Sequence, residues 1–261
     1  MTVTRLLKMK KSAEKIVALT AYDASFATLI DDAGVDVVLV GDSLGMVIQG
    51  HASTLPVSVD DIVYHCAAVA RGLRTALLIA DLPFMSYRDA STAMENAARL
   101  MAAGGASMVK LEGAGWTLDV ISALAERDIP VCAHLGLTPQ SVHKLGGYRV
   151  QGRDAEQADQ LRQDALDVQR AGADLLVLEC VPAGLAAEIS RELAIPTIGI
   201  GAGVDCDGQV LVLYDALGIT PGKRPRFSKD FLTGNGSINA ALSCYVEAVR
   251  SGTFPATEHS Y

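Results

Sequence analysis

Eight short runs rich in Val, Ile and Leu recur along this 261-residue chain, separated by segments of helical period. The runs occupy 16–22, 35–43, 75–84, 107–113, 129–137, 174–182, 196–203 and, with a weaker pattern, 209–219. None alternates apolar with polar. Continuous apolarity of strand length is what a strand buried on both faces requires, as in a parallel sheet. The segments at 23–34, 58–72, 92–105, 117–128, 154–172 and 183–193 read as helices. Ser58 is a candidate N-cap with Asp61 in the first turn, and Gly34, Gly72 and Gly172 stand at helix ends.

Strands alternating with helices eight times over suggest a (β/α)8 TIM barrel in one domain. An open doubly wound sheet is the competitor. It would gather its polar residues at one crevice, whereas here they close nearly every run. Little room is left for a helix between Gly203 and Gly208. Two longer loops, 43–57 and 137–153, would share one end of the barrel. The tail 223–261 lies outside the eight units and is expected to pack on the barrel or on a neighbouring subunit.

Half of the residues are apolar, which excludes a disordered chain. With 22 basic and 30 acidic side chains the net charge is −8, so an electrostatic grip on nucleic acid or an anionic membrane is not expected. The five cysteines are scattered and form no CxxC, which argues against a disulfide framework and for a reducing, cytoplasmic setting. The basic N-terminal stretch has no sustained apolar run and does not read as a secretory signal. No apolar run reaches membrane-spanning length.

In a barrel the side chains at strand C-termini line the active site. That reading selects Asp42, Ser43, Asp81, Lys110, Glu112, His134 and Glu179. A charge at the end of an apolar strand is costly unless it is paired or meets a metal. Lys110 and Glu112 are two apart on one strand and point to the same side. Asp42, Asp81 and Glu112 could converge on one hard cation, and carboxylates without His or Cys partners suit Mg2+ better than Zn2+. For any one of these residues, a helix cap or loop anchor is an equally good account, and Asp23 illustrates it. A lone histidine such as His134 is more often a hydrogen-bond partner than a catalyst. His51 sits in a loop, and His65 in mid-helix reads as structural. The GIGAG stretch at 199–203 reads as a phosphate cradle or as a plain tight turn. Met46 and Met85 read as filler.

The stretches VLVGDSLGMVIQGHASTLPV, LLIADLPFMSY, MVKLEG, VCAHLGLTPQSV, GGYRVQGR, LLVLECVP and IGIGAG together resemble the ketopantoate hydroxymethyltransferase family, in order and from about residue 4 onward. The resemblance implies a TIM barrel that uses Mg2+ and takes 3-methyl-2-oxobutanoate as acceptor. It implies 5,10-methylenetetrahydrofolate as the one-carbon donor, at the first committed step of pantothenate biosynthesis. It implies Asp42, Asp81 and Glu112 as the metal site and Asp42, Ser43, Asp81 and Lys110 as the keto-acid site. Glu179 would be the proton acceptor, and His134 an active-site histidine of open role. It also implies a homo-oligomer, often a decamer. Two other readings are an Mg-dependent barrel of the phosphoenolpyruvate mutase/isocitrate lyase type and a catalytically inactive barrel subunit. The first usually carries a reactive-cysteine loop, which is not found here. The second would be expected to have lost at least one of the five charged residues Asp42, Asp81, Lys110, Glu112 and Glu179.

Overall fold

The computed structural model describes residues 1–220, 222 and 224–261. Its sheet is a closed barrel of eight parallel strands in sequence order: β1 (Ile16–Thr20), β2 (Val37–Val40), β3 (Leu77–Asp81), β4 (Met108–Glu112), β5 (Val131–Gly136), β6 (Leu175–Glu179), β7 (Thr197–Ile200) and β8 (Gly208–Leu211). The TIM barrel expected from the apolar runs is the fold. β1, β3 and β4 are buried at every position, which is why their runs carry no alternation. The barrel closes where Ile16 pairs with Gly208 and Leu19 with Leu211. A Cβ at position 208 would run into the Ile16 carbonyl oxygen, so only glycine lets the last strand dock at this seam.

The helices around the barrel are α1 (Val3–Lys11), α2 (Ala24–Asp32), α3 (Leu44–Val47), α4 (Val59–Gly72), α5 (Ala90–Ala102), α6 (Thr117–Ala125), α7 (Val142–Leu145), α8 (Ala155–Arg170), α9 (Ala183–Glu192), α10 (Leu213–Ala216) and α11 (Ile238–Arg250). Their boundaries follow local chemistry. Ser58 and Asp61 form a reciprocal capping box at the start of α4. Asp23, Asp89, Asp154 and Ser237 each accept a backbone N–H from the first turn of the helix that follows. Gly34 and Gly172 leave α2 and α8 with positive φ (85° and 107°) and turn the chain toward the next strand.

Two differences from the sequence expectation have physical causes, at the end of β8 and at α1. The run 209–219 is a strand only to Leu211, and the same apolar stretch then continues as α10, because unbroken apolarity does not distinguish a buried strand from a buried helix. The described chain passes from β7 to β8 without a helix. α11 packs at the seam of the first and last strands, where its buried Tyr245 hydroxyl donates to the carbonyls of Ala18 (2.8 Å) on β1 and Gln209 (3.2 Å) on β8. α1 was not anticipated. It buries Leu6 and Met9, and Lys10 reaches Asp207 (2.6 Å) at the N-terminal end of β8. The tail expected from 223 begins at a residue outside the described ones. Among the described residues no helix is long and apolar enough to cross a membrane.

Candidate active site

Strand register assembles one charged cluster at the C-terminal end of the barrel. Asp81 on β3 lies opposite Lys110 on β4. Glu112 on β4 lies opposite His134 on β5, and Gly136 on β5 opposite Glu179 on β6. Asp42 follows β2 by two residues, and its N–H donates to Asp81 Oδ2 (2.9 Å). A Cβ on Gly41 would come to 3.0 Å from Ser43 Oγ and 3.3 Å from Asp81 Oδ2. The glycine therefore permits this close passage of the chain. A Cβ on Gly136 would strike the Glu179 carbonyl oxygen, so glycine is also what lets the end of β5 lie against Glu179.

Inside the cluster, Lys110 Nζ is 2.9 Å from Asp81 Oδ1 and 3.9 Å from Glu112 Oε1. His134 stands between two carboxylates, with Nδ1 3.5 Å from Glu112 Oε1 and Nε2 3.2 Å from Glu179 Oε2. Asp42, Asp81, Lys110, Glu112 and His134 are all buried, whereas Glu179 is partly open. Burial raises the Asp42 carboxyl well above the usual range, and the Asp81 and Glu112 charges add to it. Burial also raises Asp81, against the pull of Lys110. Glu112 is instead held low: burial pushes it up, but His134, Lys110 and the Gln140 N–H outweigh that. Burial and the Lys110 charge push His134 down, yet Glu112 and Glu179 hold it up at about 9. His134 therefore faces two carboxylates that favour its protonated form, with Lys110 Nζ 3.4 Å from Nδ1 opposing them.

Three neutral residues complete the setting, and none was marked as functional in the sequence. Gln140, in the 3-10 turn Pro139–Ser141 after β5, contacts both Asp42 and Glu112. Tyr87 donates its hydroxyl to Gln140 Oε1 (2.6 Å) and stacks on the exposed ring of Trp116. The Tyr22 hydroxyl lies 2.8 Å from Ser43 Oγ and fixes that side chain at the rim. The signal available in the sequence was position alone, since Gln140 lies in the 137–153 loop already assigned to this end of the barrel.

Several residues lie outside the cluster. Asp23 caps α2 through the Phe26 N–H. His51 is exposed in its loop. His65 donates from Nδ1 to the Tyr22 carbonyl (2.7 Å), a structural bond. The GIGAG glycines serve close packing: Gly201 and Gly203 have positive φ, and a Cβ would come within 3.0 Å of Phe227 at one and meet Ala183 at the other. Met46 and Met85 are corrected from filler to exposed side chains on the loops after β2 and β3. A cavity of about 400 Å³ lies beside the cluster rather than over it, lined by Thr138, Gln151, Glu156 and Asp164 among others.

Among the described residues, no three His, Cys, Asp or Glu side chains form a ready metal cage. Mg2+ does not need one, because it commonly takes one or two carboxylates and fills its octahedron with water and substrate. Asp42 and Asp81 are the joined pair suited to that role, with Glu112 close by. Glu112 Oε1 is a buried acceptor without a hydrogen bond, as an oxygen meant for a cation would be, whereas Asp81 Oδ1 already faces Lys110 Nζ at 2.9 Å. The donor set, all hard oxygen, fits Mg2+.

Known proteins resemble this chain in fold and in sequence. The barrel resembles, at 15–17% identity, solved structures of a putative phosphonomutase from Burkholderia cenocepacia (TM-score 0.64, covering 83% of this chain and 94% of that one) and of 2,3-dimethylmalate lyase (TM-score 0.61, 83% and 82%). It is also similar to phosphonopyruvate hydrolase in complex with oxalate and Mg++ (TM-score 0.62, 81% of each chain). At that identity the likeness concerns the fold. Sequence relatives are much nearer. The 3-methyl-2-oxobutanoate hydroxymethyltransferases of Alkalilimnicola ehrlichii and Tolumonas auensis are 60% and 59% identical over 260 residues, covering all of this chain and 94% and 98% of theirs. The ketopantoate hydroxymethyltransferase family model matches residues 1–257, and the chain belongs to that family.

Proposed function

We propose that the Asp42–Asp81–Lys110–Glu112–His134–Glu179 cluster is where 3-methyl-2-oxobutanoate receives a hydroxymethyl group and becomes 2-dehydropantoate. The observation that carries this reading is the buried Lys110 ammonium set between Asp81 and Glu112, with Glu112 Oε1 left without a hydrogen bond. Such an arrangement is poor as structure and useful as chemistry, because a divalent cation would satisfy the carboxylates and leave the ammonium free to meet the substrate's negative charge.

Asp42 and Asp81 would hold Mg2+, with Glu112 in support. When bound there, the cation supplies Lewis-acid stabilisation of the negative charge that develops as the keto acid loses its C3 proton, worth several kcal/mol. Lys110 binds the substrate carboxylate and adds fixed positive charge beside it. Ser43, held by Tyr22, lies beside Asp42 and offers a hydroxyl to the substrate at the rim. Glu179 takes the C3 proton and later returns one, being the carboxylate of the cluster most open to the loop end. His134 binds and orients Glu179 and Glu112 from between them. The carbanion equivalent so formed attacks a one-carbon unit at the formaldehyde oxidation level, which 5,10-methylenetetrahydrofolate would deliver on taking up one water, leaving as tetrahydrofolate, and the new alkoxide takes a proton to become the hydroxymethyl group. A cytoplasmic homo-oligomer, a decamer as in much of the family, completes the reading.

The test is an assay of the purified protein with 3-methyl-2-oxobutanoate, methylenetetrahydrofolate and Mg2+, with 2-dehydropantoate measured by mass. Metal-dependent formation of product is expected. No product under any metal condition would remove the reading. Sedimentation would report the assembly, and a monomer at working concentration would remove the oligomer.

A further inference from the structure

Gln140 makes one contact to each of two acidic side chains that arrive from different strands. Its backbone N–H donates to Glu112 Oε2 (3.0 Å), and its side-chain Nε2 donates to Asp42 Oδ2 (2.9 Å). The same Nε2 also donates to the Leu82 carbonyl (3.1 Å), so both amide protons are used. The remaining atom, Oε1, accepts from the Tyr87 hydroxyl (2.6 Å), which fixes which way the amide faces. Gln140 is 7% exposed and Tyr87 4%. The amide is therefore fully satisfied, buried and immobile.

This arrangement has a direct consequence for the two carboxylates. Each has one oxygen tied by Gln140 and a second oxygen left for something else. Strand register through β3 brings the Asp42 and Glu112 backbones to one end of the barrel, but it does not set how their carboxylates turn toward each other. Gln140, reaching back from the loop after β5, is the group that does. We infer that Gln140 is a positioning residue for the divalent cation: it sets the spacing and rotation of Asp42 and Glu112, with Tyr87 as the clamp on its amide. This rests on the functional reading above. The inference adds a residue that touches neither substrate nor metal but acts through two that do.

Substitution separates this role from simple packing, because the main-chain bond to Glu112 survives any side chain at 140. Gln140→Met keeps length and volume but removes all three side-chain hydrogen bonds. Tyr87→Phe keeps the stack on Trp116 and removes the clamp, together with the long 3.4 Å contacts of the hydroxyl to the Glu112 backbone. Binding of Mn2+ to the folded protein, followed by electron paramagnetic resonance without substrates, is the primary readout, with thermal melting as the check on folding. Residues that orient metal ligands are typically worth about 10–100-fold in affinity. Gln140→Met is expected to weaken Mn2+ binding within that range, and Tyr87→Phe to weaken it less. In turnover, the metal concentration for half activity should rise while KM for the keto acid at saturating metal changes little. Wild-type Mn2+ affinity in both variants, whatever their melting temperatures, would overturn the inference and leave the proposed function standing. If the wild-type protein itself bound no Mn2+, the metal reading and this inference would fall together. Should Gln140→Met not fold, Tyr87→Phe alone decides by the same criterion.

Discussion

The Lys110 ammonium stands 2.9 Å from Asp81 Oδ1, and both side chains are at least 95% enclosed. The enclosure is what makes the pair informative. An exposed ion pair contributes little to stability, whereas a buried one must offset a desolvation cost of several kcal/mol per ion. The Coulomb gain here is shared among Asp81, Glu112 and Asp42, and it holds the Lys110 pKa above its ordinary value despite burial.

Removal of Lys110 should therefore damage function and stability together. Lys110→Met leaves three buried carboxylates without their fixed cation, at a cost of about 3–5 kcal/mol in unfolding free energy. Turnover should fall by about 10²–10³-fold, as when a preorganised electrostatic donor is lost. Lys110→Arg should recover little activity, since a planar fork does not replace a compact ammonium. Urea unfolding beside steady-state kinetics checks this. Wild-type kinetics in Lys110→Met would reduce the residue to a structural ion pair.

Metal removal gives an independent prediction. Chelation should abolish product formation and added Mg2+ should restore it. Asp42→Asn and Asp81→Asn should keep the fold, because the amide nearly preserves the shape of the carboxyl it replaces, and should lose most of the turnover. Circular dichroism and product analysis distinguish loss of site from loss of fold. Full activity in excess chelator would contradict the role given to these two carboxylates.

Stability against acid should depend on Asp31, far from the site. Burial pushes the Asp31 carboxyl up, but hydrogen bonds from the Ala76, Thr75 and Arg74 N–H groups and the Thr75 hydroxyl outweigh it and lower the pKa. These bonds tie α2 to the turn before β3. A pKa lower in the folded chain than in the unfolded one contributes stability above the unfolded value of about 3.9 and loses it as pH falls through the folded value. Asp31→Asn should cost about 1.5–3 kcal/mol at pH 7, the range for hydrogen bonds to a charged group. Urea titrations at successive pH values should show that gap closing below about pH 4. A gap independent of pH would mean that shape, not charge, holds this turn.

The barrel was legible because a strand buried on both faces leaves a continuous apolar run, and because charges that end such runs are conspicuous. Asp81, Lys110, Glu112, His134 and Glu179 stand out on that ground, and the structure brings them together with Asp42. Their roles rest on the proposal above. Gln140 was not legible. A neutral amide in a loop carries no penalty that would mark it, and its contacts join residues 98 and 28 positions away in sequence. α11 was hidden for a similar reason. Nothing in its amphipathic pattern says that Tyr245 bridges the first and last strands of the barrel. The run after Gly208 misled because apolar continuity is shared by strands and buried helices.

Glu179 offers the sharpest separation of chemistry from binding. Its side chain lies against the His134 ring at 3.2 Å, and its neighbour Cys180 leaves β6 at a positive φ of 49°. A carboxylate so placed can accept a proton from substrate while the His134 ring orients it. The first step, loss of the C3 proton of 3-methyl-2-oxobutanoate, needs no one-carbon donor. Protein, Mg2+ and keto acid in D2O should therefore exchange the C3 hydrogen for deuterium, followed by the C3 methine signal in proton NMR. Glu179→Gln keeps nearly the same shape and removes the acceptor. Exchange should fall by about 10²–10⁴-fold, the usual contribution of a positioned base. Keto-acid binding in the presence of Mg2+, measured by calorimetry, should change little. Exchange that persists while turnover disappears would move Glu179 to the step that involves the one-carbon donor. His134, whose Nε2 lies 3.2 Å from Glu179, would then be the candidate base. Loss of keto-acid binding in the same variant would make Glu179 a binding residue instead.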